Sequence, residues 1–246
     1  MTAMSILSRL SSYVASLSGN ALSGVVEAVR TLFEGDPETR RRVAFSVAMI
    51  ALSAKMAKAD GIVTGDEVAA FQEIFDIPPQ EAQNVSRLYN LAKEDIAGYE
   101  RYAERMATLC GSGEPNCIVL EDILDGLFHI AKADGVLHEA ETAFLRRVAE
   151  IFGIDNTHFE AITARHLDLG EADPYVVLGV SRGTDFADIR RHYRKLIAES
   201  HPDRLIARGV PPEFIAIATD RIAAINGAFE MIERSHRRAR AETDAS

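Results

Sequence analysis

The sequence predicts an all-α protein in two parts, an acidic helical domain followed by a shorter helical hairpin. Three observations predict it: apolar residues recur at helical spacing without strand-type alternation, capping residues punctuate the chain, and a five-residue motif returns after 74 residues within the first part. With 246 residues, 47% of them apolar and 26% charged, the chain is long enough for two modest domains, each with its own core. Charge is divided unevenly. Residues 1–170 hold 15 Lys and Arg against 25 Asp and Glu, while the remainder balances at 12 and 12. The first part therefore repels polyanions, which argues against nucleic acid as its partner. The two cysteines, Cys110 and Cys117, have neither zinc-site nor disulfide-framework spacing and read as reduced thiols of a cytoplasmic protein.

Residues 1–36 form an N-terminal segment. Its charge-free run, Leu10 to Val26, contains five Ser, two Gly and Asn20, and is too short and too polar to span a bilayer. No cleavable signal pattern is present. A loosely docked helix is expected, with weak amphipathic contact of residues 5–33 at the inner face of a membrane as the alternative. Asp36-Pro37 then supplies an N-cap and a proline at the first helical position, opening a helix to about Ala59 that Gly61 stops. Within it, Val43 to Ala54 is an uncharged run between Arg42 and Lys55, the length of a buried core helix. Thr64-x-x-Glu67 forms a capping box for the next helix, which Pro78-Pro79 closes. A helix over 80–91 places Ala82, Val85, Leu88 and Tyr89 on one face, and helical sequence continues to Leu109. Gly111 to Asn116 is a turn, after which Ile118 to Lys132 opens a second half.

The two halves are related. Ala57-Lys58-Ala59-Asp60-Gly61 returns as Ala131-Lys132-Ala133-Asp134-Gly135, followed at equal offset by Glu67 and Glu141. Such a period suits two similar helical halves rather than a solenoid. Asp60, Glu67, Asp134 and Glu141 would offer four hard oxygen donors to a divalent cation if pseudo-symmetry joined them. Turn and cap structure is the weightier reading, since Glu67 already completes a capping box and the aspartates accept hydrogen bonds in their turns. In the second copy His138 replaces Thr64, the cap reading fails, and metal binding stays open there. The repeat resembles the TerB-like domain, an acidic all-α fold of tellurite-resistance proteins and some co-chaperones, over residues 37–166.

Residues 167–172 are a short connection, too short for the two parts to separate widely. Asp173-Pro174 again reads as N-cap and first helical position, opening a brief helix that Gly179 stops. Asp185-x-x-Asp188 starts a second helix to about Ser200. At 100° per residue, Phe186, Ile189, Tyr193, Leu196 and Ile197 share an arc of about 100°, with Arg190 at its edge and Arg191, Arg194 and Lys195 on the other side. Pro202 halts the helix and keeps His201 out of helical geometry, which places His201-Pro202-Asp203 in a loop. After Pro211-Pro212, Ile215, Ala218, Ile222, Ile225, Phe229 and Ile232 form a seam for antiparallel packing. A histidine and an aspartate beside four fixed cations make a recognition surface; no nucleophile–base pair, phosphate loop or metal cluster marks an enzyme.

Tyr175-x-x-Leu178-Gly179-Val180, Ile189-Arg190-Arg191-x-Tyr193-Arg194-Lys195-Leu196, His201-Pro202-Asp203 and Ile225-Asn226-x-Ala228-Phe229 resemble, in order and spacing, the J domain of DnaJ-type co-chaperones, here over residues 173–236. The stretch from His201 to Glu213 resembles the DjlA branch, in which a TerB-like domain precedes a C-terminal J domain. Phe229 and Gly227 depart from the usual Tyr and larger residue. No Gly/Phe-rich stretch and no C-x-x-C repeats occur, and the missing membrane segment departs from the DjlA pattern and puts anchoring in doubt.

The resemblance implies a DnaK-type chaperone as partner and stimulation of its ATP hydrolysis, with no chemistry on this chain. Arg190, Arg191, Arg194 and Lys195 would steer the encounter, Asp203 would pair with a partner arginine, and His201 and Pro202 would hold the loop. The TerB-like part would regulate or target through an unidentified protein or client, with homodimerisation open. No cofactor is expected. The alternative is a metal- or stress-sensing adaptor in which the acidic domain binds a divalent cation and the J domain is the output. Residues 237–246 form a basic, then polar tail with no assigned role.

Overall fold

The computed structural model describes residues 37–59, 86, 89–90, 92–94, 98–110, 112–133, 135–167, 172–208, 210 and 214–244. The expectations for residues 1–36, the Asp60-Gly61 turn, the Thr64–Glu67 box, Pro78-Pro79, Asp134 and most of the 80–91 helix lie outside them. Regular structure among the described residues is helical throughout, as the periodicity predicts. The chain divides into two compact units that do not follow chain order. Unit 1 is Met1–Ile154 with Arg208–Phe214, and unit 2 is Asp155–Ala207 with Ile215–Ser246.

Unit 1 is built on α1 (Pro37–Ala59), α2 (Tyr99–Cys110), α3 (Ile118–Ala131) and α4 (Glu139–Ile151). Helix α1 packs against each of the other three, which leaves little solvent face over residues 43–57. This is why its middle is apolar all round: Phe45, Met49, Ile50, Leu52 and Met56 are fully buried. Each such side chain contributes roughly 1.5–3 kcal/mol on burial. Lys55 is buried as well, and its ammonium lies 4.6 Å from the Tyr102 ring centroid, where the π face partly replaces lost water. The run Val43–Ala54 is thus core. Among the described residues no helix is long and apolar enough to cross a membrane.

The start of α4 corrects one reading of the repeat. Glu141 is buried, and its Oε2 accepts a hydrogen bond of 2.9 Å from the backbone N–H of His138. The cap does not fail when His138 replaces Thr64, because this half of a capping box needs only a backbone donor at the N-cap.

Unit 2 comprises α5 (Asn156–Arg165), α6 (Pro174–Leu178), α7 (Phe186–Glu199), α8 (Pro202–Ala207) and α9 (Ile215–Asp244). The two predicted caps form: Asp173 accepts from Tyr175 N–H and Asp185 from Ala187 N–H. Asp155 caps α5 in the same way, accepting from His158 N–H. Gly179 ends α6 in the left-handed region, φ 67° and ψ 34°, where a side chain costs about 1–2 kcal/mol. Helix α9 packs on α5, α6, α7 and α8. Its seam residues Ala218, Ile225 and Ile232 are buried; Ile225 and Ile232 close a core with Val177, Leu178 and Ile189. The helix continues unbroken through the arginines after residue 236. Arg165 Nε donates to the Val177 carbonyl at 3.3 Å, tying α5 to α6.

Candidate functional site

Helix α7 carries two opposed faces because its periodicity is 3.6 residues. Ile189 is buried; Phe186, Tyr193, Leu196 and Ile197 pack half-buried against the same core, while Arg190, Arg191, Arg194 and Lys195 are exposed. Two polar contacts fix the helix in place. Tyr193 Oη donates to Asn226 Oδ1 at 2.9 Å, bridging to α9, and His192 Nε2 donates to the Leu178 carbonyl at 2.9 Å. The rings of Tyr193 and Phe229 stack with centroids 4.1 Å apart.

The cations are not equivalent. Arg191 pairs with Asp188 at 2.7 Å, Arg190 with Glu233 of α9 at 3.5 Å, and Lys195 with Glu199 at 3.7 Å. Arg190 also lies 5.0 Å from the Phe186 ring centroid. Among the described residues, Arg194 has no such carboxylate. Exposed pairs of this kind contribute at most about 1 kcal/mol, so a partner's carboxylates compete with them readily.

Beyond α7 the backbone turns at Ser200, which is buried, and His201 stands outside helical structure, as predicted. The expectation that all of His201-Pro202-Asp203 lies in a loop is corrected. Pro202 ends one helix and begins another, occupying the first position of α8, where its missing N–H would have lacked an intrahelical partner anyway. His201 acts as the cap. Its carbonyl accepts from Arg204 N–H at 2.9 Å and Leu205 N–H at 3.2 Å, and its Nδ1 accepts from Asp203 N–H at 3.2 Å. An Nδ1 that accepts leaves Nε2 as the ring's donor. The Asp203 side chain is 88% exposed and that of His201 58%. The corner thus presents a carboxylate and an imidazole on a short helical turn whose inner residue, Leu205, is buried. Such groups reach a macromolecular partner rather than enclose a small substrate.

Comparison with known proteins agrees with this geometry. Residues 46–164 match the family model described as tellurite resistance protein TerB, and residues 173–242 match the DnaJ domain model. The second match contains α7, the His201–Asp203 corner and nearly all of α9. The chain is DjlA-like: a TerB domain, then a J domain. Similar curated proteins are each named co-chaperone protein DjlA. That of Photobacterium profundum is 27% identical over 220 residues, covering 79% of this chain and 78% of its own. Those of Vibrio cholerae serotype O1 and Yersinia pseudotuberculosis serotype I are each 26% identical, covering 83% and 89% of this chain and 82% and 88% of theirs. No solved structure matches.

Of the seven residues expected at the J-domain surface, α7 carries Arg190, Arg191, Arg194 and Lys195, His201 stands between α7 and α8, and Pro202 and Asp203 open α8. The four carboxylates considered for a metal fare differently. Asp60, Glu67 and Asp134 lie outside the described residues, and Glu141 holds the α4 cap. Sequence reading placed Asn226 in a motif but not as the anchor of Tyr193, and it missed Glu233, which lies 3.0 Å from Arg237 as well as near Arg190. Glu233 and Arg237 sit four apart on one helix, a spacing that signals such a pair. Nothing local marks Asn226 as the partner of a tyrosine 33 residues away.

Cys117 caps α3, and its Sγ accepts from Ser112 N–H at 3.5 Å. Burial pushes the thiol pKa up, but hydrogen bonds from Ser112 and from the Val119 and Leu120 amides outweigh it and hold the group below the usual thiol range.

Proposed function

We propose that this chain is a co-chaperone whose J domain binds a DnaK-type chaperone and stimulates its ATP hydrolysis, with the acidic TerB domain as a regulatory or targeting module. The observation that carries the reading is the exposed His201-Pro202-Asp203 corner set directly after a cationic helix, inside the segment that matches the DnaJ domain model. In this mechanism Arg194 and its neighbours draw the J domain to an acidic patch on the partner and raise the encounter rate. Asp203, whose carboxylate is nearly fully exposed, then forms a charge-assisted pair with a partner arginine. His201 and Pro202 are positioning residues: the imidazole holds the Asp203 amide and the proline fixes the chain direction. All bond breaking takes place on the partner's nucleotide. The proposed setting is the cytoplasm, where thiols such as Cys117 stay reduced.

The test is single-turnover ATP hydrolysis by a DnaK-type chaperone with the intact chain, with His201→Gln and with Asp203→Asn. The wild type should accelerate hydrolysis and each variant should lose at least tenfold of that acceleration. A wild type that does not accelerate hydrolysis, or variants that match it, overturns the reading.

A further inference from the structure

The arginines near the end of α9 take no part in the steps proposed for the corner, yet they are tied to α7. Helix α9 runs unbroken to Asp244, past Arg234, Arg237, Arg238 and Arg240. From Glu233 to Arg240 these four arginines stand against one carboxylate, Glu233 itself. Its Oε1 lies 3.5 Å from Arg190 Nη2 of α7 and its Oε2 3.0 Å from Arg237 Nη2, so one anion bridges cations of two helices. Ring contacts hold the same junction. The Phe186 ring stacks on the His236 imidazole at 4.2 Å, and the Arg190 guanidinium lies 5.0 Å from the Phe186 centroid. The end of α9 is thereby fixed beside the start of α7, within one compact unit.

At 100° per residue, Arg237 and Arg240 fall within about 40° of Glu233, on the flank of α9 that meets Arg190, whereas Arg238 lies about 140° round. On α7, Arg194 stands one turn beyond Arg190 and about 40° from it. The two helices therefore carry one row of exposed arginines: Arg194, Arg190, Arg237 and Arg240. With about 6 Å of helix from Arg194 to Arg190 and about 10 Å from Glu233 to Arg240, the row is about 16 Å long. Glu233 offsets only one of its four charges. Residues 233–244 include no large apolar side chain, so this part of α9 has nothing to insert into a bilayer, and its charge suits an acidic protein surface.

We propose that the cationic ridge receiving the DnaK-type partner does not end with α7 but continues along α9 through Arg237, with Glu233 aligning the arginines of the two helices. The proposal rests on the function argued above and lengthens the surface of the same site. Its counterpart is a row of carboxylates on the chaperone. A line of exposed like charges raises the encounter rate more than it adds contact energy, so the extension acts on association and leaves the stimulated rate at saturation unchanged.

Association of the full-length chain with a DnaK-type chaperone is followed by stopped flow in about 0.05 M and about 0.5 M salt for the wild type, Arg237→Gln, Arg237→Glu and Arg238→Glu. Half-saturation of single-turnover ATPase stimulation is read alongside. At low salt Arg237→Gln should associate about two- to threefold more slowly and Arg237→Glu about five- to tenfold, with the half-saturating concentration rising in proportion and the maximal rate unchanged. At high salt both should approach the wild type. Arg238→Glu makes the same change of net charge off the row and should stay within about twofold. Arg237→Glu that associates like the wild type overturns the extension, as does Arg238→Glu that slows association equally, since net charge alone would then act. Wild-type binding to vesicles of about 30% anionic lipid, lost in Arg237→Glu while chaperone association is kept, also overturns it and assigns these arginines to a membrane. If the wild type neither associates nor stimulates, the functional reading falls and the extension with it; if only the Arg237 comparison fails, the functional reading stands.

Discussion

Replacing Phe229 tests whether the hairpin of the J domain is held by its ring stack. Phe229 lies against Tyr193 with centroids 4.1 Å apart and planes 10° from parallel, and Phe186 stands 6.1 Å away on α7. Phe186 in turn stacks on His236 at 4.2 Å, so Phe229 links residues of α7 and α9 in one column. Truncating a buried phenylalanine to alanine costs about 3–5 kcal/mol; Phe229 is only half-buried, so about 3 kcal/mol is expected. Phe229→Leu keeps most of the volume and loses the stacking, about 1 kcal/mol. Two compact units need not melt in one transition, so the assay is native-state hydrogen exchange of α7 and α9 peptides rather than a midpoint temperature. Protection should fall about a hundredfold for the alanine variant and about fivefold for leucine. A loss below about threefold in Phe229→Ala would refute the claim that these rings join the two helices.

The other predictions concern single groups. Arg194→Gln should weaken association with the DnaK-type partner more than Arg191→Gln, by up to about fivefold, because Arg191 is already engaged by Asp188; measured in about 0.5 M salt, the difference should vanish. Gly179→Ala has room, its Cβ falling 3.7 Å from that of Ala161, so the cost is the left-handed backbone alone, about 1–2 kcal/mol. It is read as faster exchange of the Val180 amide, which bonds the Tyr175 carbonyl at 2.9 Å. The Cys117 thiol is lowered on folding, so its thiolate favours the folded state. That stabilisation is fully present above the unfolded thiol's pKa and is lost as pH falls through the folded value. Denaturant titrations from about pH 6 to about pH 10 should show wild type gaining stability relative to Cys117→Ala as pH rises; the opposite slope would contradict the hydrogen-bond account.

Much of the J-domain surface is legible in the chain because the forces that build it are local. Asp173 and Asp185 cap helices through donors two residues away, Gly179 stops one by its own backbone, and the two faces of α7 follow from helical pitch. The buried run Val43–Ala54 was readable as core from its length and lack of charge. The helix of residues 202–207 was not readable. Six residues rarely form a helix by propensity, since the first turn is costly to nucleate; here the buried Leu205 and the His201 cap support it. The cap at Glu141 was missed for another reason: its donor is a backbone N–H, which side-chain identity does not advertise.

Composition, capping and periodicity by themselves determined an all-helical chain with an acidic first part, a cationic helix and a proline-bound corner after it. Tertiary structure alone decided that Arg208 meets Asp122, that Gly126 makes room for Phe214, and that α5, inside the TerB match, packs with the J-domain helices. Caps and amphipathic faces arise between residues a few positions apart, so one sequence suffices to show them. A buried charge needs an opposite charge in the folded chain, but its own neighbours in sequence do not say which of 37 acidic side chains that will be.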